Sequence, residues 1–236
     1  MNNIAQNLPL KVSTSDPIAA FRSAPRLIIG QLGQTLDGFI ATQSGESKYI
    51  NSEAGLHHLH ALRSAVDAVI VGVGCVNADD PNLTVRFCSG KNPVRIVIDP
   101  QGRVETNSKI FHDGISDVKI ITCAGVNHPA KGLACVIEMP HSNHQICPKA
   151  IVMMLEKLGL GRILVEGGNR TLSNFIDAGM MDRLHLIMAP VILGGGLPGL
   201  ELSPIDKLQE AIRPAVTLYP LGQDVLFDCD FRRNAV

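Results

Sequence analysis

Blocks of positive charge are missing from this sequence. Its 236 residues hold no run of lysines and arginines longer than the Arg232-Arg233 pair, and the formal net charge is −1. Neutralising a phosphate backbone calls for a basic face, so nucleic-acid binding is excluded and the charges read as a mixed, solvated surface. Long apolar runs are missing too. None approaches the roughly 20 residues of a membrane span, and Met1 to Pro25 carries polar residues and prolines in place of a continuous apolar leader. A cytoplasmic chain with neither membrane nor nucleic-acid partners is expected. The six cysteines (Cys75, Cys88, Cys123, Cys135, Cys147 and Cys229) include no closely spaced pair. That argues against a zinc site built on neighbouring cysteines, and a chain of this size does not need a disulfide framework. No internal repeat is visible.

What is present suits a large core: 45% of residues are apolar and 18% charged. Residues 1–25 read as an N-terminal extension with a short helix around Pro17 to Arg22, and 26–236 as one domain. Arg26–Leu32 is an apolar, β-branched run of strand length, followed by an Asp37-Gly38 turn signal. Asn51–Val66 is the clearest helix. Asn51 or Ser52 can cap it, Glu53 sits in its first turn, and Leu56, Leu59 and Leu62 recur at helical spacing. Asp67–Val73 is a continuous apolar run, the mark of a strand buried on both faces. Further strands are expected at Val94–Ile98, Val118–Thr122, Leu133–Ile137, Arg162–Val165 and Asp182–Ala189, with helices at Ala150–Leu158 and Thr171–Ala178. Gly179 is a plausible helix stop. Ala215–Leu218 and Asp224–Asp230 can close the sheet as an antiparallel hairpin. Strands alternating with helices predict an α/β fold with a mainly parallel central sheet and antiparallel strands at its C-terminal edge.

Glycines gather at strand ends in Gly72-Val-Gly74, Glu166-Gly-Gly168 and Gly194-Gly-Gly196. Glycine there lets backbone N–H groups approach an anion, and a helix starting just afterwards adds a favourable dipole. Gly167-Gly168 before Thr171 is the best such place. No GxGxxG fingerprint occurs, so a standard Rossmann site is disfavoured. Asp79-Asp80-Pro81 with Arg86 puts carboxylates and a cation in one loop, either as a turn or as a sugar and phosphate contact. Glu166 either caps the next helix or faces the crevice at the carboxyl ends of the strands. Arg63 either answers the dipole of its own helix or binds an anion. His57 and His60 share a helix face without a carboxylate to complete a site, so no metal is expected there or elsewhere.

In order along the chain stand Leu36-Asp-Gly38, Gly45-Glu-Ser-Lys-Tyr-Ile50, Leu62-Arg63, Asp67-Ala-Val-Ile-Val-Gly72, Ala78-Asp-Asp-Pro81 with Leu83-Thr-Val-Arg86, Arg95-Ile-Val-Ile-Asp99, Ile163-Leu-Val-Glu-Gly-Gly168 and Ala189-Pro-Val-Ile-Leu-Gly-Gly195. Together they resemble the C-terminal reductase domain of the bifunctional riboflavin-biosynthesis deaminase–reductase, over about Arg26 to Asp230. The resemblance implies a three-layer, dihydrofolate-reductase-like fold, NADPH as hydride donor, a homodimer, and reduction of 5-amino-6-(5-phosphoribosylamino)uracil to its ribitylamino form. It implies substrate contacts at Ser47, Arg63, the Leu83 backbone, Arg86 and Glu166. It implies cofactor contacts at Gly33, Tyr49, Cys75, Asp79, Gly168, Asn169, Arg170, Thr171 and Leu172, with Asp79 and Glu166 as the catalytic carboxylates. Neither His-x-Glu nor Pro-Cys-x-x-Cys occurs, so zinc-dependent deamination is not expected of this chain. Gln31, where many family members carry Lys, is the departure that bears on substrate. Cys75 stands for a common Thr and Tyr49 for a common Trp.

Overall fold

The computed structural model describes residues 11–48 and 50–232. In chain order its elements are β1 Lys11–Val12, α1 Ala19–Arg22, β2 Leu27–Thr35, β3 Phe39–Ala41, α2 Glu53–Ala65, β4 Ala68–Gly72, α3 Val73–Asp79, β5 Val94–Ile98, β6 Val118–Cys123, β7 Cys135–Met139, α4 Pro148–Lys157, β8 Arg162–Glu166, α5 Asn169–Asp177, β9 Arg183–Ala189, β10 Leu197–Pro198, β11 Ala215–Leu221 and β12 Asp224–Asp230. Ten strands form one sheet in the order β1-β11-β12-β9-β2-β8-β4-β5-β6-β7, and β10 pairs with β3 apart from it. Every pairing in the large sheet is parallel except those of β12, which runs against both β9 and β11. This is the mainly parallel sheet with an antiparallel C-terminal edge that the strand pattern predicts.

Side-chain alternation sorts the core into two layers. One face of the sheet (Ile28, Ile70, Ile96, Ile121, Ile163, Val165) packs under Ile151 and Leu155 of α4 and Leu172 and Phe175 of α5. The other (Ile29, Val69, Val71, Val97, Ile120, Leu164) packs under Phe21 of α1, Leu62 of α2 and Val76 of α3. Burial of each such side chain contributes about 1.5–3 kcal/mol. Residues 11–25 belong to this packing: Lys11 and Val12 pair with Thr217 and Leu218, and Ile18 and Phe21 are buried. Gly179 holds φ +64°, the left-handed turn that stops α5.

Three local expectations need correction. Val73–Asp79 is a helix and not a glycine loop, so Asp79 closes a helix and Asp80 is its left-handed cap at φ 41°. On α2 the buried stripe runs through Gly55, His58, Leu62 and Ala65, while Leu56 is 45% exposed. The helix is turned so that Gly55 can approach β9 and His58 can meet His185. Ser52 occupies the α2 cap position, yet its hydroxyl donates to Asp224 Oδ2 at 2.8 Å and not to the helix.

Candidate active site

The carboxyl ends of β4 and β8 lie beside each other, and α3 and α5 leave from them. Their departure points touch. A Cβ on Gly72 would come within 2.7 Å of Thr171 Oγ1, and the Gly168 N–H donates to Cys75 Sγ at 3.0 Å. Two of the glycine clusters marked in the sequence are thus neighbours, with the first turn of α5 opening between them. Burial pushes the Cys75 thiol up, opposed by the Gly168 N–H. The charges of Asp79 and Glu166 act in the same direction as burial, which places both carboxylates around this sulfur.

Glu166 is joined to α2. Arg63 Nε and Nη2 donate to its two oxygens at 2.7 and 2.6 Å, and Arg63 Nη1 donates to the Thr84 carbonyl at 3.0 Å. Both side chains are under 10% exposed. Although burial works against it, the Glu166 charge and its hydrogen bonds raise the Arg63 pKa, so the guanidinium stays charged. Two of the five Arg63 N–H donors are held by Glu166 and a third by Thr84. Arg63 therefore braces the site, and its two remaining N–H groups are the donors a phosphate could still use. Each Glu166 oxygen keeps a second lone pair for a hydroxyl.

The loop after α3 is pinned from several sides. Thr84 O accepts from Arg63, Asn92 Oδ1 accepts from the Val85 N–H at 2.7 Å, and His60 Nδ1 accepts from the Arg86 N–H at 2.9 Å. Leu83 is buried at φ 56°, an uncommon conformation for a residue with a Cβ. These ties present the Arg86 side chain on the exposed side, where it makes no ion pair among the described residues. His60 is pushed down to about 4, by burial first and then by the charges of Arg63 and Arg86 on either side of it. It fixes the loop that carries Arg86. Its i, i+3 relation to Arg63 is the signal that both point at one loop. His57 is exposed and lies 3.7 Å from Glu53.

Arg63, Glu166, Leu83, Arg86, Cys75, Asp79 and Gly168–Thr171 are thus brought to one end of the sheet. Asn169 and Arg170 stand in the first turn of α5, where the Asn169 side chain accepts from the Arg170 N–H and donates to Glu201. Leu172 is fully buried in the core, so only its backbone faces the site. Gly33 lies two residues along β2 from Gln31, and a Cβ there would fall 1.8 Å from Asn51 Oδ1. Ser47 is exposed in the loop before α2, with its carbonyl accepting from the Ile50 N–H and no bond joining it to the cluster. Tyr49 lies outside the described residues. Gln31 pairs in register with both Glu166 and His185. Asp99, just after β5, is buried and accepts from the Val104 N–H and from His128, so it shapes a turn. A cavity of about 480 Å³ opens at the opposite, N-terminal ends of β5–β7. Arg95 in its wall is taken up by Asp113 at 2.6 and 2.8 Å.

The model of the RibD C-terminal domain matches residues 26–218. The chain belongs to the RibD C-terminal domain family. It is 37% identical over 186 residues to a riboflavin biosynthesis protein RibD of Aquifex aeolicus, covering 76% of this chain and 50% of that protein. It is 30% identical over 208 residues to a 2,5-diamino-6-ribosylamino-4(3H)-pyrimidinone 5′-phosphate reductase of Methanothermobacter thermautotrophicus, covering 85% and 96%. The chain thus spans about half the length of the first relative and nearly all of the second. Among solved structures it is similar to the Thermotoga maritima diaminohydroxyphosphoribosylaminopyrimidine deaminase/5-amino-6-(5-phosphoribosylamino)uracil reductase, with TM-score 0.71 and 25% identity over 87% of this chain and 56% of that one. The family match begins where the sequence motifs begin and takes in Arg63, Arg86 and Glu166.

Proposed function

We propose that the chain is an NADPH-dependent reductase of riboflavin biosynthesis, which converts 5-amino-6-(5-phosphoribosylamino)uracil to the ribitylamino product. The observation that carries this reading is the juxtaposition of an exposed Arg86, the braced Arg63–Glu166 pair and the start of α5 at one sheet end. The Arg86 guanidinium, held out by the His60 contact, binds the 5′-phosphate. Glu166 accepts from a sugar hydroxyl through its remaining lone pairs, and Arg63 keeps it oriented. The site also fits a dinucleotide: Gly168 caps α5, and a Cβ at Gly74 would meet nothing within 4 Å. Gly168, Asn169, Arg170 and Thr171 would hold its diphosphate by backbone donors, with Gly33, Cys75 and Asp79 bordering it. When bound, NADPH supplies a hydride to the sugar C1′. The chain's own residues align the two partners and exclude water. The nitrogen of an open-chain imine gains a proton in the same reduction, and exposed Asp79 is the group placed to pass one from solvent.

The proposal extends to a cytoplasmic homodimer. No helix among the described residues is long and apolar enough to cross a membrane. Ile192 and Leu208, exposed by 72% and 71%, supply apolar surface for a partner copy. Gln31 favours a second reading, the same chemistry on a related pterin, pyrimidine or sugar phosphate, because a neutral side chain stands in register with Glu166 where a lysine would add charge. Purified chain should oxidise NADPH in the presence of the phosphoribosylamino-pyrimidine and rescue a reductase-deleted riboflavin auxotroph. Arg86→Ala should raise KM by about 1.5–3 kcal/mol equivalent, roughly ten- to a hundredfold, with stability unchanged. NADPH binding with no turnover of this substrate supports the second reading. No binding of NADPH or NADH up to millimolar concentration would leave a catalytically silent dimer.

A further inference from the structure

We infer that Cys123, His141 and His144 form a site for a divalent transition-metal ion of the zinc class at the carboxyl ends of β6 and β7. One sulfur and two imidazole nitrogens lie within 4.8 Å of one another there. The fold brings them together across 18 to 21 residues of sequence. Cys123 ends β6 directly beside Met139, its register partner at the end of β7. Beyond Met139 the chain doubles back at once. Ser142 and Gln145 exchange both backbone hydrogen bonds, at 3.0 and 2.8 Å, around Asn143 at φ 49° and His144 at φ 58°. Two consecutive left-handed residues make the tight, primed form of turn. Asn and Gly are the usual occupants of such positions, so histidine at the second is an unusual choice. Its effect is to fold the His144 ring over His141, nearly parallel at 9° and 5.6 Å between centroids. Both imidazoles are exposed, whereas the Cys123 side chain has no accessible surface.

A thiolate with two imidazoles is a borderline-soft donor set, suited to zinc and its cobalt surrogate and unsuited to magnesium or calcium. Tetrahedral bonds of roughly 2.0–2.3 Å place donors about 3.3–3.8 Å apart. Small rotations of the two exposed rings close the remaining gap. On binding, the Cys123 S–H bond breaks, its proton leaves to solvent, and the sulfur and two unprotonated ring nitrogens each donate a lone pair to the metal. Water completes the fourth position. This site shares no residue with the candidate active site, so it stands whether or not the proposed reduction is correct. Its effect would be to clip the β7–α4 connection onto the end of β6.

The full chain, stripped with a chelator and dialysed, should be titrated with Co²⁺ and then with Zn²⁺. One equivalent of Co²⁺ should produce visible bands with a thiolate charge-transfer band, and Zn²⁺ should displace them. Cys123→Ser should abolish the charge-transfer band. His144→Gly is the decisive variant, because glycine accepts φ 58° without strain and the turn is kept while the ligand is removed. It should lower affinity at least ~100-fold, given that loss of mere outer-shell partners costs 10–100-fold. A His112→Ala control should bind as the parent does. No cobalt spectrum from the parent chain, or unchanged binding in Cys123→Ser or His144→Gly, overturns the site.

Discussion

Two of the regions that hold an arginine against carboxylates use the arrangement differently. At the carboxyl end of β8, Arg63 and Glu166 form a pair of two charges with exposed Arg86 close by. Beneath α1, at the antiparallel edge, Arg183 binds Asp228 through two nitrogens and Asp230 at 3.1 Å, its guanidinium lying 5.3 Å from the Phe21 ring. Arg232 adds a second cation on Asp230. His185, 3.4 Å from Asp228, hydrogen-bonds His58 at 2.8 Å. The second region is closed, with Phe21 stacked against His185 and its charges answered internally. In the first, a cation is left over and the surrounding backbone is glycine. Buried charge alone therefore does not mark a site in this fold. The mark is charge left unanswered beside open backbone.

The comparison can be broken most forcefully at Arg183. Arg183→Ala leaves Asp228 buried without its main cation, and urea denaturation should show a loss of about 3–5 kcal/mol with kinetic constants per folded molecule unchanged. A selective fall in turnover would mean that this region, too, serves the reaction. Glu166→Gln keeps the shape and one acceptor but removes the counter-charge of Arg63. It should cost about 1–3 kcal/mol of stability and, unlike Arg183→Ala, lower turnover of the folded enzyme. Full activity in that variant would make the pair purely architectural. The remaining effect is in acid. Burial and then the neighbouring His185 push His58 down to about 3, and burial lowers His185 as well. Below pH 6.5 the unfolded chain binds protons that the folded chain refuses, so stability should fall with pH from 6.5 towards 3. For His58 the slope is about 1.4 kcal/mol per pH unit, with His185 acting in the same direction and no contribution from this source above pH 7. A denaturation midpoint that stays level from pH 7 to 5 would show that this cluster opens to water and takes up protons.

The layering and most strands were legible because parallel strands buried on both faces read as apolar runs, as Ala68–Gly72 and Arg162–Glu166 do. Helix α3 was not, since glycines at 72 and 74 speak for a loop and seven residues carry little periodicity. The ordered motifs pointed to Arg63, Arg86 and Glu166, and the structure gathers them. That Arg63 is spent on Glu166 could not be read, because the partners are 103 residues apart and each alone suits an anion or a hydroxyl. The His58–His185 contact, across 127 residues, was hidden for the same reason. His144 was hidden by something else: its meaning lies in a backbone angle.

Strand β2, near the start of the chain, lies between β8 and β9, and β1 lies against β11. Both slots are framed by residues 162–189 and 215–221. A nascent chain emerging from the ribosome therefore carries its central strand unclaimed until the 126 residues between Thr35 and Arg162 have followed. Such late, distant pairing predicts slow closure and a period of dependence on whatever shields bare strand edges in the cell.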